Sequence, residues 1–204
     1  MDLLSSPITL ALIVVNVAVA FYTMQVNPAA LDRWSFKPTR FLRDREWWRL
    51  ITAGFVHTGG THLMFNMITL FFFGPLIESI VGPWRYLVIY FGAEIVANLL
   101  TLWRFRNDER YSAVGASGAV SGVLFAFCLF FPFESIYLFF IPIGIPAILF
   151  AVLYIVLSIY AAGQGRGKVA HEAHIGGALG GLLLTLLLVP ESLGYFLRQV
   201  SDLF

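Results

Sequence analysis

Charge is scarce in this sequence. Of 204 residues, 12% are Asp, Glu, Lys or Arg, about half the share usual in a soluble globular domain. With 59% hydrophobic residues and a mean hydropathy of +0.81, that scarcity excludes a water-soluble fold and indicates a membrane protein. A net charge of +1 leaves no basic footprint for nucleic acid. Cysteine is almost absent: the single Cys128 lies inside an apolar run, so no internal disulfide can form. Basic residues are missing from Met1-Asp-Leu-Leu, so no cleavable signal is expected and the first apolar segment should be retained. Internal repeats and a second domain are also missing, and no cofactor is expected.

What is present is apolar and aromatic. Aromatic residues make up 16% of the chain, with 20 Phe, which suits lipid-facing surface and interfacial belts. Six apolar segments can be drawn, at about 6–23, 61–81, 84–103, 117–131, 143–162 and 171–189. Between the first two, residues 24–60 carry many charges together with Trp34, Trp47, Trp48 and Phe55. A loop so long and aromatic is expected to be folded and membrane-associated. Residues 132–142 read as an apolar linker, and Gly163 to Lys168 as a flexible connection. The tail 190–204 reads as a short interfacial helix. The fold expected is a single all-α membrane domain over residues 1–204.

Two polar residues stand out against this background. Ser117 sits in the glycine-rich stretch Ala113 to Gly122, and His174 in Ala173-His174-Ile175-Gly176-Gly177. Ser117 lies 15 positions before Pro132, and His174 lies 16 before Pro190. Proline is a helix stop, so each residue sits about 22–24 Å of helix from its stop, short of the ~30 Å hydrocarbon core. Because spans alternate in direction, segments two, four and six run the same way, which places His62, Ser117 and His174 near one mouth. Asn66 lies one turn below His62 on the same face. Gly118 and Gly122, Gly177 and Gly181, and Gly176 and Gly180 are spaced by four, which lets backbones approach closely in lipid. Ordinary transmembrane packing uses the same spacing. The neighbouring serine and histidine point further, to a nucleophile and the base that activates it. Val114-Gly115-Ala116 must carry the chain down to the depth of Ser117, and non-helical backbone there requires protein burial or a wet cavity.

Together these residues resemble the rhomboid family of intramembrane serine proteases over nearly the whole chain. Gly115-Ala116-Ser117-Gly118 is similar to the family's GxSG motif. Ala173-His174 with Gly177 and Gly181 is similar to its AHxxGxxxG pattern, and His62 to Asn66 to its HxxxN. Trp48-Arg49 resembles the first-loop WR pair, and Glu78 a glutamate near the end of the second helix. The resemblance implies a six-transmembrane-helix bundle with a membrane-embedded first loop. It implies a Ser117–His174 dyad, and an oxyanion hole from His62, Asn66 and the Ser117 N–H. The expected partners are transmembrane protein substrates and the lipid bilayer of the cell membrane, without metal or nucleic acid. One position departs from the pattern. The family often has an aromatic residue four after the serine, packed on the histidine, and here it is Ser121. Another aromatic, or a hydrogen bond from Ser121, must then orient His174.

Other polar groups have humbler readings. His57 is expected to place or bond the loop near His62, His171 to sit at the interface, and Arg49 to bond loop carbonyls or lipid phosphate. Glu94 and Asn98 read either as functional intramembrane groups or as helix–helix hydrogen bonds. Glu172 lies two residues from His174 and faces another side of the helix. Two rival classes remain. One is a metal site from His57, His62, His171 and His174, although His171-Glu-Ala-His174 is not HExxH. The other is a catalytically silent relative that binds transmembrane segments, or a small transporter. All of the 13 Lys and Arg except Arg85 and Arg198 fall on the side of the mouth. The positive-inside rule would turn that side to the cytoplasm, whereas the resemblance implies an outward mouth with a cytoplasmic N-terminus.

Overall fold

Proline marks the start of four helices. In the computed structural model, which describes residues 3–138, 141–163 and 171–202, Pro7, Pro28, Pro38 and Pro83 each stand in the first turn of a helix. There the missing N–H is harmless and the fixed φ favours entry. The first helix, α1 (Pro7–Phe21), runs on into a π-helical turn, Tyr22–Val26. Three short helices follow: α2 (Pro28–Trp34), α3 (Pro38–Arg43) and α4 (Arg49–Thr52). The long helices α5 (Gly60–Val81) and α6 (Pro83–Phe105) meet at Gly82. Gly82 has φ +82°, and its N–H closes α5 on the Glu78 carbonyl at 2.9 Å. Then come α7 (Ser117–Phe130), α8 (Ala147–Gly163), α9 (His171–Leu188) and the amphipathic α10 (Glu191–Ser201).

The chain between α7 and α8 departs from an all-helical expectation. Ser135–Leu138 (β1) and Ile141–Pro146 (β2) form an antiparallel pair, with Ile136 opposite Ile145 and Ser135 opposite Pro146. The fifth helix therefore begins at Ala147 and not near 143. Pro142, Gly144 and Pro146 disfavour a helix there, and the apolar linker is a hairpin. Its base anchors α8: Ala147 N–H donates to the Glu134 carbonyl at 2.9 Å, and Ile148 N–H to that of Pro132 at 2.8 Å. A two-stranded sheet has open edges, which hydrocarbon does not tolerate, so the hairpin belongs at the water-facing end of α7 and α8. The expected flexible connection lies outside the described residues from 164 onward, and so does the end of the tail, 203–204. Within the tail, α10 lies against that same end of α7, where the Gln199 side-chain amide donates to the Phe130 carbonyl at 2.9 Å.

The bundle is built around α7. Every residue from Gly118 to Phe130 is buried, so this helix needs no lipid-facing side and can be short. Contacts fix the direction of its neighbours. A Cβ at Gly118 would overlap Ala97, and one at Gly122 would overlap Ala93, so α6 runs antiparallel to α7. A Cβ at Gly177 would overlap the Gly118 carbonyl oxygen, and one at Gly181 would overlap Gly122 Cα, so α9 runs parallel to α7 with backbones touching. His62 meets Gly115, and the Phe73 and Phe127 rings are 4.8 Å apart, so α5 is parallel too. Directions alternate along the chain, as spans should. Among the described residues, four helices are long and apolar enough to cross a membrane: Pro7–Val26, Gly60–Val81, Pro83–Phe105 and His171–Leu188. The helices α7 and α8 are shorter and apolar.

Residues 27–59 are folded, as their length and aromatic content suggested. Arg49, nearly buried, donates to the Asp32 and Ser35 carbonyls at 3.1 and 2.6 Å and pairs with Glu46. The loop reaches the serine segment through a bridge between Phe36 and Ala113, with both N–H···O bonds at 2.9 Å.

Candidate active site

Ser117 is the first residue of α7. The turn before it depends on Gly115, whose φ of +112° is a conformation L side chains avoid. Space requires glycine as well, because a Cβ there would meet the His62 ring, with Nε2 2.6 Å away. Gly115 N–H is tied to the Ala53 carbonyl at 2.9 Å, which fixes the approach to the serine from the first loop. At N1 and N2, the N–H groups of Ser117 and Gly118 have no carbonyl one turn back within the helix. At N3, Ala119 N–H donates to the Glu94 carboxylate of α6 at 3.1 Å. No side chain of α7's own caps this end, so Glu94 caps it from a neighbouring helix. Asn98 donates to the same carboxylate and to the Leu50 carbonyl, both at 3.0 Å. Of the two readings of Glu94 and Asn98, the hydrogen-bonding one describes what they do here.

His174 lies in the first turn of α9, one turn before Gly177, where the α7 and α9 backbones touch. Ser117 and His174 thus occupy the same end of a close-packed parallel pair. Among the described residues the Ser117 hydroxyl and the His174 ring share no hydrogen bond, and the two are related by the helix packing. The His174 ring faces the Tyr154 ring of α8, with centroids 6.0 Å apart and planes at 28°, and it meets His171 edge-on at 5.9 Å. Ser121 donates to the Ser117 carbonyl at 2.6 Å and lies 2.6 Å from the Tyr154 hydroxyl. A ring from elsewhere therefore stands beside His174, whereas the Ser121 hydroxyl bonds the Ser117 carbonyl and Tyr154 and does not reach the histidine. Sequence spacing could not find Tyr154. Tyr154 is one of three hydroxyl side chains in α8, with Ser158 and Tyr160, so nothing in the sequence singled it out.

On the other side of Ser117, His62 lies in the first turn of α5, with the Thr58 hydroxyl 3.4 Å from its Nδ1. Asn66, one turn on and buried, donates its amide to His57 Nε2 at 3.2 Å. With an amide nitrogen opposite it, Nε2 is the unprotonated ring nitrogen of His57, and the second N–H of Asn66 remains available. Burial first, then the neighbouring His62, lowers the His57 pKa to about 4. The ring is therefore neutral near pH 7 and can accept. The rings of His57 and His62 meet edge-to-face at 5.1 Å, so His57 does place the residues around it. Glu172 faces Arg104 of α6 at 3.9 Å, which leaves His174 without a carboxylate from its own helix. Among the described residues no three His, Cys, Asp or Glu side chains group as a metal site would need. Two open surface depressions, one lined by residues 103–108 and one by Thr39, Leu42, Arg43, Arg106, Asn107 and Glu109, include neither Ser117 nor His174.

Comparison with known proteins finds relatives over most of the chain. The family profile described as Rhomboid domain matches residues 44–191. The chain is 36% identical to the Bacillus subtilis (strain 168) protein YdcA over 148 residues, covering 72% of this chain and 69% of the relative. It is 30% identical to rhomboid protease AarA of Providencia stuartii, covering 91% of this chain and 74% of the relative. It is 27% identical to rhomboid protease GluP of Bacillus subtilis (strain 168), spanning 88% of this chain but only 34% of that longer protein.

Proposed function

The chain belongs to the rhomboid family, and from that premise we propose that it is an intramembrane serine endopeptidase of the cell membrane. Its substrates are transmembrane segments of other membrane proteins, and α1, α5, α6, α7, α8 and α9 are its six crossings, with the first loop lying on the membrane. The observation that supports this best is the contact of Gly118 with Gly177 and of Gly122 with Gly181. It holds Ser117 and His174 at one end of a parallel pair, while His62 lies against Gly115 on the other side.

In this reading His174 accepts the Ser117 hydroxyl proton as Oγ attacks the scissile carbonyl carbon. The carbonyl oxygen becomes an oxyanion, and its donors are the Ser117 N–H, His62 and the free N–H of Asn66. Collapse breaks the C–N bond, His174 passes its proton to the leaving amine, and an acyl-serine remains. Water, deprotonated by His174, then adds to the acyl carbon, the bond to Ser117 Oγ breaks to release the acid, and His174 returns the proton to Oγ. The serine–histidine hydrogen bond forms when substrate is bound, since such contacts are often long in an empty site. No cofactor or metal takes part in any step.

Incubation with a fluorophosphonate probe tests the reading. Wild-type protein should label, and Ser117→Ala and His174→Ala should not. Labelling that survives either change points to another nucleophile or base, and an unlabelled wild type points to a silent, segment-binding relative. Asn66→Ala should lower turnover of a model transmembrane substrate by about 10²–10³ while the protein stays folded. Unchanged turnover removes Asn66 from the oxyanion hole.

A further inference from the structure

Ser121 occupies the helical position, one turn beyond Ser117, where an aromatic ring would reach the histidine from the serine's own helix. Its hydroxyl carries one proton, which it donates to the Ser117 carbonyl at 2.6 Å. The contact between Ser121 Oγ and the Tyr154 hydroxyl, also 2.6 Å, must then have tyrosine as donor. The bonds run in one direction: Tyr154 to Ser121, and Ser121 to the backbone of Ser117. The Tyr154 ring is held among Phe125 and Phe150, at 5.7 and 5.8 Å between centroids. Its face lies toward His174, 6.0 Å away and 28° from parallel, within the range of interacting ring pairs.

We infer that Tyr154 is a positioning residue for His174, supplied by α8 in place of the serine helix. The inference rests on the Ser117–His174 reading above. It has a consequence for α8. Of this helix's residues only Ala147 and Ser158 are buried, whereas α7 is buried throughout beyond Ser117. Of the long apolar helices, the one that orients the base thus has the fewest buried residues, and His174 is held in register only while α8 is docked.

The test uses the full chain in detergent micelles. Turnover of a model transmembrane substrate and the rate of fluorophosphonate labelling are read for wild type, Tyr154→Met, Tyr154→Phe, Tyr154→Ala and the double variant Tyr154→Ala/Ser121→Tyr. Methionine fills the volume without offering a ring face, so Tyr154→Met should lose about tenfold to a hundredfold in kcat with KM unchanged. Tyr154→Phe is nearly isosteric. It keeps the ring but frees it from Ser121, and should lose about twofold to fivefold. Tyr154→Ala/Ser121→Tyr returns the ring from the serine helix and should regain about tenfold over Tyr154→Ala alone. Wild-type kcat in Tyr154→Met, or no recovery in the double variant over Tyr154→Ala, overturns the inference, and the double variant decides it should the methionine variant fail to fold. An unlabelled wild type overturns the dyad reading itself, and the inference with it. A labelled wild type with unaffected variants overturns the inference alone.

Discussion

His57 illustrates how one buried residue sets the state of another. Its ring is fully enclosed, and its pKa of about 4 keeps Nε2 free to accept from Asn66. In the unfolded chain the ring has an ordinary pKa of about 6.5. Between those values the unfolded state binds the proton and the folded state does not, so stability falls as pH drops from about 6.5 toward 4. The contribution is on the order of 3 kcal/mol for a group this enclosed. His57→Gln keeps an acceptor for Asn66 but cannot titrate. Thermal melts of the two proteins should therefore diverge below pH 6.5, with the wild type losing more. Parallel melting curves across that window would show that His57 takes up its proton without disturbing the fold. At this scale the types and spacings of Ser117, His174, His62 and Asn66 were enough to nominate them. The partners that hold two of them, His57 for Asn66 and Tyr154 for His174, were not assigned because each contact exists only after distant helices have packed.

Helices pose their own problem in this bundle, since neither α1 nor α7 has a side-chain cap of its own. A buried glutamate from an adjacent helix answers it in both. Glu78 accepts the Ile8 and Thr9 N–H groups at 3.0 and 2.8 Å and the Thr9 hydroxyl at 2.7 Å, and Glu94 accepts from Ala119. Each carboxylate also complements the positive end of the helix dipole. Replacing Glu94 with Gln leaves an NH₂ facing either Ala119 N–H or the Asn98 amide, so one donor loses its acceptor. The expected cost is about 1–3 kcal/mol, read as a lowered unfolding midpoint, and an unchanged midpoint would mean that the cap is dispensable. Packing makes a sharper demand at Gly177, where any Cβ must push α9 away from the Gly118 carbonyl. Gly177→Ala should destabilise by about 1–3 kcal/mol and slow probe labelling of Ser117. At Gly60, by contrast, nothing lies within 4 Å of an added Cβ, and alanine should be neutral or stabilising by up to about 1 kcal/mol. Equal effects at the two sites would remove the close contact from the account. The glycine spacing was legible because a small residue every fourth position has one geometric meaning. The hairpin at 135–146 was not. Its residues are as apolar as the helix that follows, and only Pro142, Gly144 and Pro146 together disfavour continuation.

Six apolar helices that alternate in direction make a claim about the whole molecule. The parallel contacts of α5, α7 and α9 and the antiparallel run of α6 put His62, Ser117 and His174 at one end of the bundle, while the start of α1 lies by Glu78 and α10 by Phe130 at the other. Charge follows the same division. The first loop and the α6–α7 connection carry most of the arginines, while Arg85 and Arg198 stand at the opposite end. Several first-loop cations are engaged within the fold, Arg49 on two carbonyls and Glu46, Lys37 on Asp32, and Arg43 on Asp44. They serve the loop's structure whichever compartment it faces. The parity itself is open to measurement. Reporters fused to the two termini should respond in the same compartment. In a Cys128→Ala background, Gly163→Cys, where an added Cβ has open space, should react with an impermeant maleimide applied from the opposite side. Termini in different compartments, or Gly163→Cys labelled from the termini's side, would mean that α7 or α8 does not complete a crossing. Without those crossings the proposed serine–histidine pair would lose its shared face, and the protease reading would lose its route for water to the site.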